Sequence, residues 1–256
     1  MLSREEIVKK VAEVPFWGQS IPLPHGVVTP GRVMKNLDTL KYLQLPENLT
    51  GKRVLDVGTF DGFYAFEAEK RGAEVIAIDN LERMQRPGEK QFQCLGSKSF
   101  ETAKAILESK VQYKNLDVYE VGPESVGMVD ITLFLGVLYH LKHPMLAIEK
   151  LASVTREMML VESAWFGSLT KLPSVRYTGV GLMNDDPTTW FIYNTPAIVG
   201  MIRDAGFPRV DVLYKTSLTP KQWLKSLYYN KAVWGRAWWN SNLLSCGRIV
   251  LRCFKK

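Results

Sequence analysis

Val54-Leu55-Asp56-Val57-Gly58-Thr59-Phe60-Asp61-Gly62 is the stretch whose reading decides the fold. Four residues with an apolar bias form a short buried strand. Glycines at 58 and 62 bracket a tight turn, and Gly62 to Arg71 continues at helical spacing with Phe63 and Phe66 inward. A second apolar run, Val75-Ile76-Ala77-Ile78, ends at Asp79, 17 residues after Gly62. Strand, glycine turn, helix and strand in this order predict a βαβ unit with a parallel pair and a ligand at the strand tips. Gly58 and Gly62 let the backbone approach a ligand that a Cβ would push away.

The residues around the turn restrict that ligand. Asp79 at a strand tip is placed to accept both hydroxyls of a ribose. A dinucleotide site calls for G-x-G-x-x-G, with pyrophosphate against the helix N-terminus. Here the glycines are spaced Gly-x-x-x-Gly, and Asp56 and Asp61 flank the turn. Two carboxylates repel pyrophosphate and suit a ligand with an ammonium and a sulfonium, which favours S-adenosylmethionine (SAM) over NAD. Phe60 and Asn80 border the same turn and strand tip and complete the expected contacts. Asp117, after a third strand at 111–115, is placed to accept an adenine amino group. Leu135 and Gly136 end a fourth strand, at the carboxyl edge where open α/β sheets hold ligands.

The alternation continues outward in both directions. Helices are expected at 4–13, 32–43, 99–109, 145–153 and 195–205, and further strands at 131–135, 158–161, 210–213 and 249–254. The fold class is therefore α/β, Rossmann-like, with a mostly parallel sheet and helices on both faces. Residues 1–50 read as a helical and loop extension, with four prolines and three glycines between Pro15 and Gly31. Residues 51–214 read as the core, 215–247 as an insertion, and 248–256 as the last core strand. The three cysteines suit neither zinc nor a disulfide framework, and no acid-histidine spacing suggests a metal. No apolar run is long enough to span a bilayer and no secretory signal is visible, so a cytoplasmic location is expected.

The chain has 256 residues and a net charge of +7, unevenly spread. Nothing acidic follows Asp211, while nine lysines and arginines lie from Lys215 to Lys256. The first 211 residues hold the other 24 basic and all 26 acidic residues, a net of −2. Residues 215–239 interleave Lys215, Lys221, Lys225, Lys231 and Arg236 with Trp223, Tyr228, Tyr229, Trp234, Trp238 and Trp239. Such a segment can bind single-stranded nucleic acid, cations on phosphates and rings under bases. It also fits peripheral contact with a membrane interface, or a cap packed on the core. The sequence sets no oligomeric state.

Asp56 to Gly62 and Asp79 resemble the first two motifs of class I SAM-dependent methyltransferases. Leu135-Gly136-Val137-Leu138-Tyr139-His140-Leu141 followed by His143-Pro144 is more specific, and resembles the tRNA (mo5U34) methyltransferase-like family, which includes tRNA wobble-uridine carboxymethyltransferases. The resemblance extends through Trp190 to Pro196 and Ala205-Gly206-Phe207, and covers roughly 15–214 plus the last strand. It implies a seven-stranded sheet with an antiparallel final strand and a cofactor over Gly58. In the carboxymethyl branch, the extra carboxylate of carboxy-SAM is held by a tyrosine, an arginine and a lysine. Tyr139 matches the tyrosine and Arg248 the arginine, but Gln19 lies near the place of the lysine. Leu135 replaces the methionine before the Gly-Val-Leu-Tyr motif. These departures make ordinary SAM the first choice.

Methyl transfer is an in-line displacement for which positioning does most of the protein's work. A base is needed when the acceptor must lose a proton, and His140 is the best placed imidazole. Tyr139 is expected to orient the acceptor or a cofactor carboxylate. Glu162, near the end of the fifth strand, reads equally as an acceptor contact or a solvated strand end. His143 reads as a surface residue, and His25 lies in the loop before the core. Three functions stay open: methyl transfer to an oxygen or nitrogen on RNA or a small metabolite, carboxymethyl transfer to a tRNA wobble uridine, and SAM binding without catalysis.

Overall fold

The structure, a computed structural model, describes residues 2–31, 36–81, 97–167, 171–179, 188–216 and 246–256. It divides into two compact units, one of residues 1–133 with 153–156, the other of residues 134–152 with 157–256. The expected insertion at 215–247 lies almost wholly outside the described residues.

The first unit opens with helix α1, Arg4–Ala12, capped by Ser3 and Glu6 in a reciprocal box. A Pro-rich loop follows, then α2 at Asn36–Leu43. The expected βαβ unit forms with β1 at Arg53–Val57, α3 at Phe63–Lys70 and β2 at Glu74–Asp79. α4 spans Lys98–Leu107 and β3 Gln112–Asn115, and a short helix α5, Pro123–Val126, leads into β4, Val129–Leu135. The strand order here is β3-β2-β1-β4. β1 and β2 are parallel in the register Val57↔Ile78, and β2 and β3 in the register Asp79↔Asn115. Asp79 and Asn115 thus reach the same sheet edge. β1 and β2 read as continuous apolar runs because both are buried. Phe66 stacks on Phe100 at 5.2 Å, and Phe100 meets Tyr113 at 4.8 Å, which packs α3 and α4 beside the sheet.

The second unit contains α6 at Pro144–Val154, β5 at Thr155–Phe166, β6 at Val175–Tyr177 and β7 at Phe191–Tyr193. α7 at Thr195–Asp204, β8 at Arg209–Lys215 and β9 at Cys246–Phe254 complete it. The final strand is antiparallel to β5, with Glu162 opposite Val250 and Ala164 opposite Arg248, and β8 pairs β9 on its other side. Nine strands are described, against an expectation of seven. The additional pair is the antiparallel β6–β7, joined to β5 at Trp165↔Tyr193. β5 itself is three times the expected length. No helix among the described residues is long and apolar enough to cross a membrane.

Candidate cofactor and acceptor sites

In the first unit the chain leaves β1 through Gly58 with φ 68°, a left-handed conformation that glycine adopts without strain. The N–H groups of Gly58 and Thr59 both donate to the Ile78 carbonyl, at 2.9 and 3.1 Å, so the turn is tied to the end of β2. Phe60 is also left-handed, at φ 57°. That conformation is costly for a residue with a Cβ. It aims the Phe60 N–H at Asp79, whose Oδ2 accepts it at 2.9 Å. The Asn80 N–H donates to Asp79 Oδ1 at 2.8 Å. Each Asp79 oxygen thus has one partner and retains a lone pair, and the side chain is only partly buried. This is the fixed carboxylate expected at the tip of β2.

Asp56 lies beneath the turn, 2% exposed. Its Oδ2 and the Thr59 hydroxyl are both buried and make no well-formed hydrogen bond, although Thr59 and the Ala65 N–H lie close enough to the carboxylate to oppose part of the burial effect. Burial pushes the Asp56 carboxyl up to about 7, with the Asp79 charge adding to the shift. Burial likewise raises Asp79 to about 6. An orphaned buried oxygen costs on the order of 1–3 kcal/mol, and a cationic ligand offsets that cost. Two carboxylate acceptors so placed fit the chemistry of an ammonium and a ribose diol, as SAM carries.

Asn80 and Asp117 meet. The Asn80 amide donates to Asp117 Oδ2 at 2.7 Å, and Asp117 Oδ1 accepts from Tyr119 N–H at 3.0 Å. Asp117 also caps the turn that follows it. The two residues form one polar pair next to Asp79, hydrogen-bonded within the protein.

Two residues of the turn behave differently from the expectation. Asp61 is fully buried, and its carboxylate accepts Gly18 N–H at 2.7 Å, Gln19 N–H at 2.6 Å and the Ser99 hydroxyl at 2.6 Å. It anchors the loop before the core and is not a carboxylate left open for a cation. Gly62, at φ 98°, opens α3, and a Cβ there would stand 2.5 Å from Phe66 and 2.7 Å from Phe100. Its missing side chain makes room for helix packing, where the sequence reading assigned the room to a ligand.

The second unit gathers a different set. Leu135 ends β4, and Gly136, at φ 74°, donates its N–H to the Glu162 carbonyl at 3.0 Å. A Cβ built on Gly136 would lie 3.7 Å from Glu162 Oε2 and 3.9 Å from the Tyr139 hydroxyl, so both oxygens border that glycine. Arg248 Nη1 reaches Glu162 Oε1 at 3.3 Å, and its guanidinium lies 5.0 Å from the centre of the Tyr139 ring. Tyr139 and His140 rings are 4.2 Å apart. His140 Nδ1 is 3.2 Å from the Thr188 carbonyl and 2.9 Å from the Thr188 hydroxyl. Thr188 thus engages the imidazole at Nδ1 through both its carbonyl and its hydroxyl.

Glu162 departs from the reading of a solvated strand end. It sits within β5, is 8% exposed, and burial raises its carboxyl while Arg248 opposes the shift. Its buried pairing with Arg248 was not predicted. The alternation Leu160, Glu162, Ala164 on one face of a strand carried the signal, but only β9 shows the partner. Gln19, in the expected place of a lysine, is buried, and its amide oxygen accepts the Phe63 N–H at 2.9 Å at the start of α3. His143 is exposed, and His25, also exposed, contacts the Leu2 carbonyl at 3.1 Å.

No family model matches the chain. A tRNA U34 carboxymethyltransferase of Helicobacter pylori (strain G27) is 27% identical over 186 residues, covering 70% of this chain and 64% of that protein. The enzyme of the same name in Saccharophagus degradans is 27% identical over 183 residues, covering 69% of this chain and 48% of that protein. The matches thus span between about half and two thirds of these relatives' length. Among solved structures, the N-terminal domain of EvdMO1 with SAH bound superposes with a TM-score of 0.67 at 16% identity, over 100% of this chain and 98% of that one. Magnesium protoporphyrin IX methyltransferase from Synechocystis PCC 6803 gives 0.51 at 15% identity, over 86% and 78%. The chain has the fold of SAM-dependent methyltransferases, and its sequence is distantly similar to tRNA U34 carboxymethyltransferases.

Proposed function

We propose that the chain binds SAM at the Gly58 turn and transfers its methyl group to an oxygen or nitrogen acceptor on RNA or a small metabolite. The observation that carries this reading is the fixed Asp79 carboxylate, held by Phe60 and Asn80 N–H groups, beside the orphaned Asp56 oxygen. Asp79 receives the ribose hydroxyls and Asp56 the ammonium. Asn80 and Asp117 border the adenine, and Gly58 leaves its backbone accessible. When bound, the sulfonium supplies an electrophilic methyl group and departs as a thioether. A hydroxyl acceptor must give up a proton, and His140, held at Nδ1 by Thr188, is the imidazole assigned to take it. Tyr139 orients the acceptor. We place this activity in the cytoplasm.

Carboxymethyl transfer to a tRNA wobble uridine is the second reading. The names of the relatives and the stacking of Arg248 on Tyr139 favour it. Against it, Gln19 replaces the lysine and is spent on the start of α3. Native mass spectrometry of the cofactor that co-purifies with the protein separates the readings. SAM or its demethylated product supports methyl transfer, carboxy-SAM supports the second reading, and a nicotinamide would overturn both.

A further inference from the structure

Asp61 has no claim on a ligand through its own oxygens, because both are engaged by Gly18, Gln19 and Ser99. It nonetheless stands one residue from Phe60, whose strained left-handed backbone aims an N–H at Asp79. The Gly18–Gln19 segment that Asp61 holds lies directly on Phe60, for a Cβ on Gly18 would fall 1.7 Å from the edge of the Phe60 ring. The same segment is fixed a second time, by the Gln19 amide oxygen at Phe63 N–H. A third anchor is the Thr29 hydroxyl, which donates to the Gln19 carbonyl at 2.6 Å and accepts the Ile21 N–H at 2.8 Å. Phe16 adds an edge-on contact to the Phe60 ring at 6.4 Å. Phe60 is therefore clamped between the loop before the core and the end of β2.

We propose that Asp61 is a positioning residue for the cofactor, and that it acts by strapping residues 16–19 over Phe60 so that Asp79 is held for the ribose. The proposal rests on the reading of Asp79 as the ribose acceptor. It makes the loop before the core a working part of the cofactor site. Strained backbone persists only where its surroundings over-determine it, and the strap is what over-determines Phe60. Strap order and cofactor binding are thermodynamically linked, so each must strengthen the other.

The closing experiment uses the full chain with SAM as probe, and reads calorimetric affinity together with amide exchange at Gly18 and Gln19. Asp61→Ala removes the acceptor for three donors, and should weaken SAM by about tenfold or more while speeding exchange at both amides. Asp61→Asn should stay near wild type, because its carbonyl can accept both N–H groups while its amide donates to Ser99. Gly18→Ala, which keeps both aspartates and the N–H donor to Asp61 but crowds the Phe60 ring, should also weaken SAM. In the wild type, SAM should slow exchange at Gly18 and Gln19. A folded Asp61→Ala or Gly18→Ala with unchanged affinity overturns the proposal. Asn as damaging as Ala also overturns it, because that outcome assigns the effect to charge. Asp79→Ala run in parallel keeps the two readings apart: if it binds SAM normally, the underlying ribose assignment fails instead.

Discussion

Asp56 and Asp79 carry opposing demands that produce a measurable pH dependence. Both carboxyls are raised by burial, to about 7 and about 6. A folded value above the unfolded one means that the native state binds more protons over the window between them. Stability of the ligand-free protein should therefore fall as pH rises from about 4 to about 7. A cationic ligand favours the deprotonated forms, so SAM affinity should rise over the upper part of that window and binding should release protons. Calorimetry at pH 6.5 in buffers of different ionisation enthalpy measures this release directly. Proton uptake, or none, would contradict an ammonium beside Asp56. At this scale Asp79 was legible in the sequence from its place at a strand tip. The anchoring role of Asp61 was not, because Gly18, Gln19 and Ser99 are about forty residues away and no local pattern relates them. Gly62 was misread for the same reason, since Phe100 comes from a later helix.

Elements with one strong period were read well. β1, α3 and β2 lie within a residue or so of their expected bounds because burial on both sides gave unbroken apolar runs. β5 was underestimated, since Arg156, Glu157, Glu162 and Ser163 interrupt its apolar character. Those polar positions are satisfied by partners that only the folded chain provides, as with Glu162 and Arg248. β6 and β7 have three residues each and exist through their pairing. The Arg248–Glu162 contact across β9 and β5 makes its own prediction. Arg248→Leu leaves a buried carboxyl without its cation, and should cost about 1–2 kcal/mol after allowance for the half-exposed guanidinium. A lowered melting temperature with unchanged SAM affinity is the expected outcome. Carboxy-SAM titrated against the wild type should show no advantage over SAM. A strong preference for it, lost in Arg248→Leu, would install the carboxymethyl reading instead.

For the whole molecule, the parallel sheet was legible because each βαβ repeat announces itself locally, whereas the antiparallel closing strand was implied by the family resemblance. The division into two units was not, as it follows from contacts and has no linker in the sequence. The basic aromatic stretch stays a proposal, because 217–245 lie outside the described residues. If Lys221, Lys225, Lys231 and Arg236 meet RNA phosphates, tRNA affinity should fall steeply with salt. Neutralising all four should flatten the slope by roughly 0.7 per contact. Binding to anionic vesicles without competition from tRNA would point to a membrane instead.

The central claim is that the tip of β2 holds the ribose of SAM. Titration of SAM into wild type and Asp79→Ala, with folding of each verified by circular dichroism, tests it most directly. Loss of a charged hydrogen-bond acceptor should cost about 1.5–3 kcal/mol, or roughly ten- to hundredfold in Kd. A folded Asp79→Ala that binds SAM as tightly as wild type would contradict the account.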